Sequence, residues 1–270
     1  MAGTDARAVR AIAGRDLRLV RRSRAVLIPI VVVPVVLLLV PPIALLATAG
    51  SPETLAAELQ PLLARVTSPL TPSSSTPGQE AIVLLLVYVF APLFLLVPIM
   101  VASVTAADSV VGERERGTLE GLLHSPTTDR ELFLGKLAAP WIVATLVTLV
   151  SAACYAAIAN VVLGAYGLPP VFPNLVWVVL IVWVAPAAAG VGLTLIVLIS
   201  ARVKTFQEAS QIGGIVVVPV VGLVIAQVTG LLLFDLALLV GLGCVLWLLT
   251  LLLMRFAVRR FRRDRLITGN

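Results

Sequence analysis

Four stretches of this chain contain no Asp, Glu, Lys or Arg: 25–49, 81–107, 137–201 and 209–234. Asp235 alone interrupts the last, which then runs on to Met254. A helix needs about 20 apolar residues to cross the hydrocarbon of a bilayer. The third stretch is long enough for two crossings. "GAYGLPPVFPN" at 164–174 gathers the residues that stop helices and makes the natural turn between them. The stretch 209–254 also holds two, hinged near "VTGLLLFD". The expectation is an all-α membrane protein with six transmembrane helices, at about 25–48, 81–106, 137–163, 174–199, 209–229 and 233–254. Composition agrees: 13% of residues are charged, against roughly 25% in a soluble domain.

Lys and Arg accumulate on the cytoplasmic side of span ends. Seven Arg fall in residues 1–24, six in 255–270, four Lys or Arg in the segment 106–136, and Arg202 and Lys204 in the segment after span 4. Arg65 is the exception. Both termini are therefore expected in the cytoplasm, and the +6 net charge reads as a topology signal rather than as a nucleic-acid surface. Cys154 and Cys244 fall inside spans and read as small hydrophobes. "ATA" at 47–49 resembles a signal-peptidase site. The apolar run before it is longer than a signal core, so span 1 is expected to stay.

Residues 1–24 read as a cytoplasmic amphipathic helix. Val9, Ile12, Ala13, Leu17 and Val20 share one face and the arginines take the other, with Asp16 the one misfit. Such a helix lies in the headgroup layer. Span 1 carries Pro29, Pro34, Pro41 and Pro42, so a kink or fray is expected near Pro41. The outer segment 49–80 begins with a short amphipathic helix capped by Ser51 and Pro52 and continues as a linker. "APAAAGVG" in span 4 allows close helix packing, within one chain or between chains. The expected organisation is thus a cytoplasmic helix at 1–24, a six-span unit 25–254 with a cytoplasmic insert at 107–136, and a basic tail 255–270.

No span carries an ionisable residue near its middle. Ion-coupled carriers need one there, and an intramembrane enzyme needs a nucleophile and base or metal ligands. A secondary transporter therefore lacks its machinery. A P-loop is missing too, because "LGKL" at 134–137 has neither the glycine-rich run nor the hydroxyl.

The unusual passage is "GERERGTLEGLLHSPTTDRELFLGK", 112–136. Leu119, Leu122 and Leu123 form a small apolar face. Ser125-Pro126 ends that helix. Thr128 and Glu131 form a capping box, from which a second helix runs through Gly135 and Lys136 into span 3. The result is a cytoplasmic helical elbow between spans 2 and 3. Its charges fit either a docking surface for a partner, in a transporter or an assembly factor, or a solvated connector.

This passage resembles the signature of ABC type-2 transporter permeases: E-[KR]-E-x-G-T-L-E, a leucine pair, S-P, a polar stretch, then G-K. Gly121 and His124 are its departures. "ARVKTFQEASQIGGIVVVPVV" at 201–221 is similar to the passage entering the fifth span of that family. The resemblance implies a permease subunit of an ATP-driven exporter in a prokaryotic inner or plasma membrane. It would pair with a second copy or a related chain. Separate cytoplasmic ATPase subunits would bind the ATP, and the permease itself would hold no cofactor. It also implies that Glu113, Arg114, Glu115, Arg116, Gly117, Thr118, Leu119, Glu120, Leu122 and Leu123 are coupling contacts with the ATPase, with Lys204, Gln207 and Glu208 a lesser second contact.

Overall fold

A computed structural model describes residues 6–20, 23–47, 52–63, 74–115, 128–200, 203, 205–214, 217–228 and 235–260. Among them every element is helical. Helix α1 is Ala6–Val20 and α2 covers 24–47; the outer segment holds α3, Pro52–Glu58, and α4, Gln60–Leu63. A broken helix α5 covers 77–115, and α6 is Asp129–Ala165. Then follow α7 over Leu175–Ile199, α8 at Phe206–Gly213, α9 at Val217–Val228 and α10 at Leu236–Arg260. The expected cap Ser51 lies outside the described residues.

Five helices among the described residues are long and apolar enough to cross a membrane: Val26–Leu45, Pro77–Gly112, Glu131–Ala165, Leu175–Ile199 and Leu236–Ala257. The sixth expected span is divided between α8 and α9, and its apolar helix Val218–Gln227 is shorter than these. Helices α5 and α7 pack together at the centre, with α6 and α2 against α5 and α10 against α7. Helices α2, α6 and α10 leave Val32, Val36, Leu146, Val150, Leu248 and Leu252 exposed. Apolar surface on this scale belongs in lipid or in an interface, not in water.

Proline shapes three of these helices in the same way. Pro41 and Pro42, Pro92 and Pro186 have no N–H to give, so the carbonyl one turn earlier loses its donor. In each case the preceding turn widens to a π-helix: Val35–Leu39, Leu85–Val89 and Leu180–Val184. Span 1 therefore does not fray at Pro41 but continues helically to Ala47.

In α5, Phe90 N–H reaches back to Leu85 O at 3.1 Å rather than to Leu86 O, and Pro92 has no N–H to offer Tyr88 O. In hydrocarbon such carbonyls need partners. Tyr155 Oη donates to Leu86 O (2.7 Å), Trp177 Nε1 to Val87 O (2.9 Å) and Gln227 Nε2 to Tyr88 O (2.6 Å). One break thus ties α6, α7 and α9 to α5. Tyr155 and Trp177 also stack at 4.8 Å, with Phe94 and Phe172 edge-on to Trp177 at 5.2 and 5.1 Å.

The turn expected at 164–174 is present and is built by Gly167, whose φ of 74° is left-handed. Asn160 fastens it by donating to Phe172 O (2.8 Å) and accepting from Val171 and Phe172 N–H. The small residues of α7 pack within the chain. A Cβ on Gly190 would stand 2.6 Å from Thr250 Cγ2 of α10. Asp235, the one charge in its apolar run, caps α10 by accepting from Leu238 N–H at 2.7 Å.

Candidate functional site

The expected capping box closes: Thr128 Oγ1 accepts from Glu131 N–H, and Glu131 Oε2 accepts from Thr128 N–H at 2.8 Å. Helix α6 starts there and has 37 residues, about 56 Å at 1.5 Å per residue. That exceeds the roughly 30 Å of hydrocarbon, so the helix is longer than one crossing requires.

Across from them, α5 ends in a fourth π turn, Asp108–Gly112. No proline stands among Glu113–Glu115, the described residues of α5 that follow it. Glu113 N–H is diverted to Asp108 O and Val110 O, which leaves Ser109 O available. Lys136 Nζ fills that position at 2.9 Å. The same ammonium stands 2.6 Å from Glu113 Oε2 and 3.2 Å from Asp16 Oδ2. Ser109 Oγ donates to Asp16 Oδ2 at 2.9 Å, and Arg15 Nη1 closes the group 3.5 Å from Glu113 Oε1. Asp16, Glu113 and Lys136 are 3%, 2% and 5% exposed. A buried ion is tolerated when it is paired and its remaining hydrogen-bonding sites are filled. Here two cations and two carboxylates cancel, and the chain adds a carbonyl and a hydroxyl.

Helix α1 reaches this group because residue 135 is glycine. A Cβ there would lie 2.7 Å from Ile12 Cβ. Its absence lets α1 lie directly on α6, and one turn after Ile12 brings Asp16 to Lys136. The apolar stripe read from the sequence is real, with Ile12, Ala13 and Val20 buried. Asp16 is at the centre of that buried face, and the misfit is its ion pair. Arg7, Arg10 and Arg18 remain exposed on the opposite face.

Glu113, expected as a contact with a partner, turns its carboxylate onto Lys136. Arg114 follows it in the same helical turn, Glu113–Glu115. Glu115 is exposed and accepts from Phe206 N–H at 3.1 Å, at the start of α8. Thr205 caps that helix by accepting from Glu208 N–H at 3.2 Å. Gln207 and Glu208 are exposed beside it. The two cytoplasmic segments expected to contact a partner are thus joined through Glu115. Arg116, Gly117, Thr118, Leu119, Glu120, Leu122, Leu123 and Lys204 lie outside the described residues. Asp16 and Lys136 were not expected in the site. The available signal was a lone acid on an apolar helix face, which requires a cation on whatever covers it.

Five helices of membrane-crossing length and apolarity among the described residues define a multi-pass integral membrane protein. Comparison with known families narrows that class. Residues 10–235 match the family described as ABC-2 family transporter protein, and the chain belongs to that family. No curated protein matches the chain.

Proposed function

We propose that this chain is the permease subunit of an ATP-driven exporter. Two copies, or this chain and a related one, form the pathway, and separate cytoplasmic ATPase subunits bind and hydrolyse ATP. The permease has no nucleotide site of its own. In this reading α8 and α9 together supply a sixth span, both termini are cytoplasmic, and α1 lies at the headgroup layer of a prokaryotic inner or plasma membrane.

The observation that carries the proposal is mechanical. The insert 112–136 is entered and left by helices continuous with spans: α5 reaches Glu115, and α6 begins at Asp129 without a break before Ala165. A push on the insert therefore acts on two spans as levers. Glu115 shares the push with α8 through Phe206 N–H. Mixed charge around an apolar face, the Arg116–Leu123 stretch, suits register and partner choice at a protein interface. Export agrees with the short outer segment 49–80, too small for a receptor domain.

The test is purification of the tagged protein in detergent, followed by mass spectrometry and an ATPase assay. A P-loop ATPase is expected to co-purify and to be lost when residues 115–120 are replaced. Recovery of the chain alone, without ATPase activity, overturns the proposal in favour of an assembly factor with another partner.

A further inference from the structure

Helix α1 ends at Val20 and α2 begins at Arg24. The three residues between them reach at most about 10 Å, so α1 cannot travel far without span 1. Packing of Ile12 on Gly135 holds α1 on α6, but apolar contact is non-directional and does not fix register. The ion group does. Lys136, on α6, takes its four oxygens from two other elements: Asp16 on α1, and Ser109 and Glu113 on α5. The π turn at Asp108–Gly112 is the one such turn without a proline to cause it. Its effect is to present Ser109 O to the ammonium.

We propose that Asp16, Glu113 and Lys136 form a latch fastening α1 to the head of spans 2 and 3, so that movement of the insert is delivered to span 1 as well. The latch rests on the coupling reading above. Its members are positioning residues: they touch neither cargo nor nucleotide, and they set which span moves with the insert. Removing one charge leaves an unpaired ion buried, which harms folding. Removing Asp16 and Lys136 together takes away one charge of each sign, leaves Arg15 with Glu113, and frees α1 at lower cost to folding.

The experiment uses the full-length permease with its co-purified ATPase, in vesicles of phosphatidylcholine and phosphatidylglycerol. Cys154 and Cys244 are replaced by Ala. Single reporter cysteines are placed at Ala11, on the exposed face of α1, and at Thr127, in the insert, and labelled with an impermeant maleimide. With the latch intact, ATP and orthovanadate are expected to change the labelling rate at both positions. In D16N/K136M the change at Thr127 persists, while the change at Ala11 shrinks by about tenfold, the scale of a lost charged hydrogen bond. An undiminished change at Ala11 in D16N/K136M overturns the latch. If ATP alters neither position with the latch intact, the coupling reading fails instead. The latch is then judged by the basal labelling of Ile12→Cys: about tenfold faster in D16N/K136M supports it, and an unchanged rate overturns it.

Discussion

Lys136 Nζ lies 2.6 Å from Glu113 Oε2, and this pair ties together the two long helices that flank the insert. The contact crosses from α5 to α6 at the point where each helix leaves its apolar run. It makes the base of the insert rigid, and a rigid base is what a lever needs.

Lys136→Met is expected to destabilise the protein by about 3–5 kcal/mol, because it leaves two buried carboxylates with one arginine. Asp16→Asn is expected to cost less, since an amide keeps the bond from Ser109 Oγ. Thermal unfolding of the purified variants in one detergent checks the order, and equal losses would contradict it.

Gly135→Ala places a methyl where Ile12 Cβ already stands 2.7 Å away. Both atoms are fixed to backbones, so the helices must part, at a cost of about 1–3 kcal/mol. Gly14→Ala serves as the control, because nothing lies within 4 Å of its added Cβ. A lower melting temperature for the first and not the second is the expected result.

Tyr155→Phe keeps the stack on Trp177 and removes the hydroxyl that donates to Leu86 O at 2.7 Å. An unmade bond in an apolar interior costs about 1–3 kcal/mol. Gln227→Leu is expected to act on Tyr88 O in the same way. The two together should fall short of additivity, because both bonds serve one widened turn. A double-mutant cycle on melting measures that coupling.

Glu115→Ala is expected to leave insertion and yield unchanged, since the side chain is exposed, and to reduce ATPase stimulation by cutting the insert from α8. Glu115→Gln, which keeps an acceptor for Phe206 N–H, is expected to retain most of it.

Much of the fold was legible because charge is so costly in hydrocarbon: the uncharged runs place the long helices and the 164–174 turn. The capping box at Thr128 and Glu131 was legible because it is local. What one sequence could not show is how helices pair. Asp16 stood out on its face, but its partner is 120 positions away in Lys136. The prolines announced disturbed helices. The widened turns fall one turn earlier, where carbonyls lose their donors, and the side chains that fill the one in α5 come from three other helices. Glu113 was expected as a partner contact by resemblance of its passage, and its burial beside Asp16 and Arg15 of α1 involves residues that the passage does not contain.

The most direct measurement is the rate of ATP hydrolysis by the reconstituted permease–ATPase complex carrying Gly117→Pro, beside the unaltered complex. Proline in the insert removes an N–H and its ring disfavours helical geometry at the residue before it, while every side chain of the latch is kept. The account predicts an inserted, folded permease whose partner is released or hydrolyses ATP without stimulation. Full binding and full stimulation with Gly117→Pro would contradict the assignment of 112–136 as the coupling element.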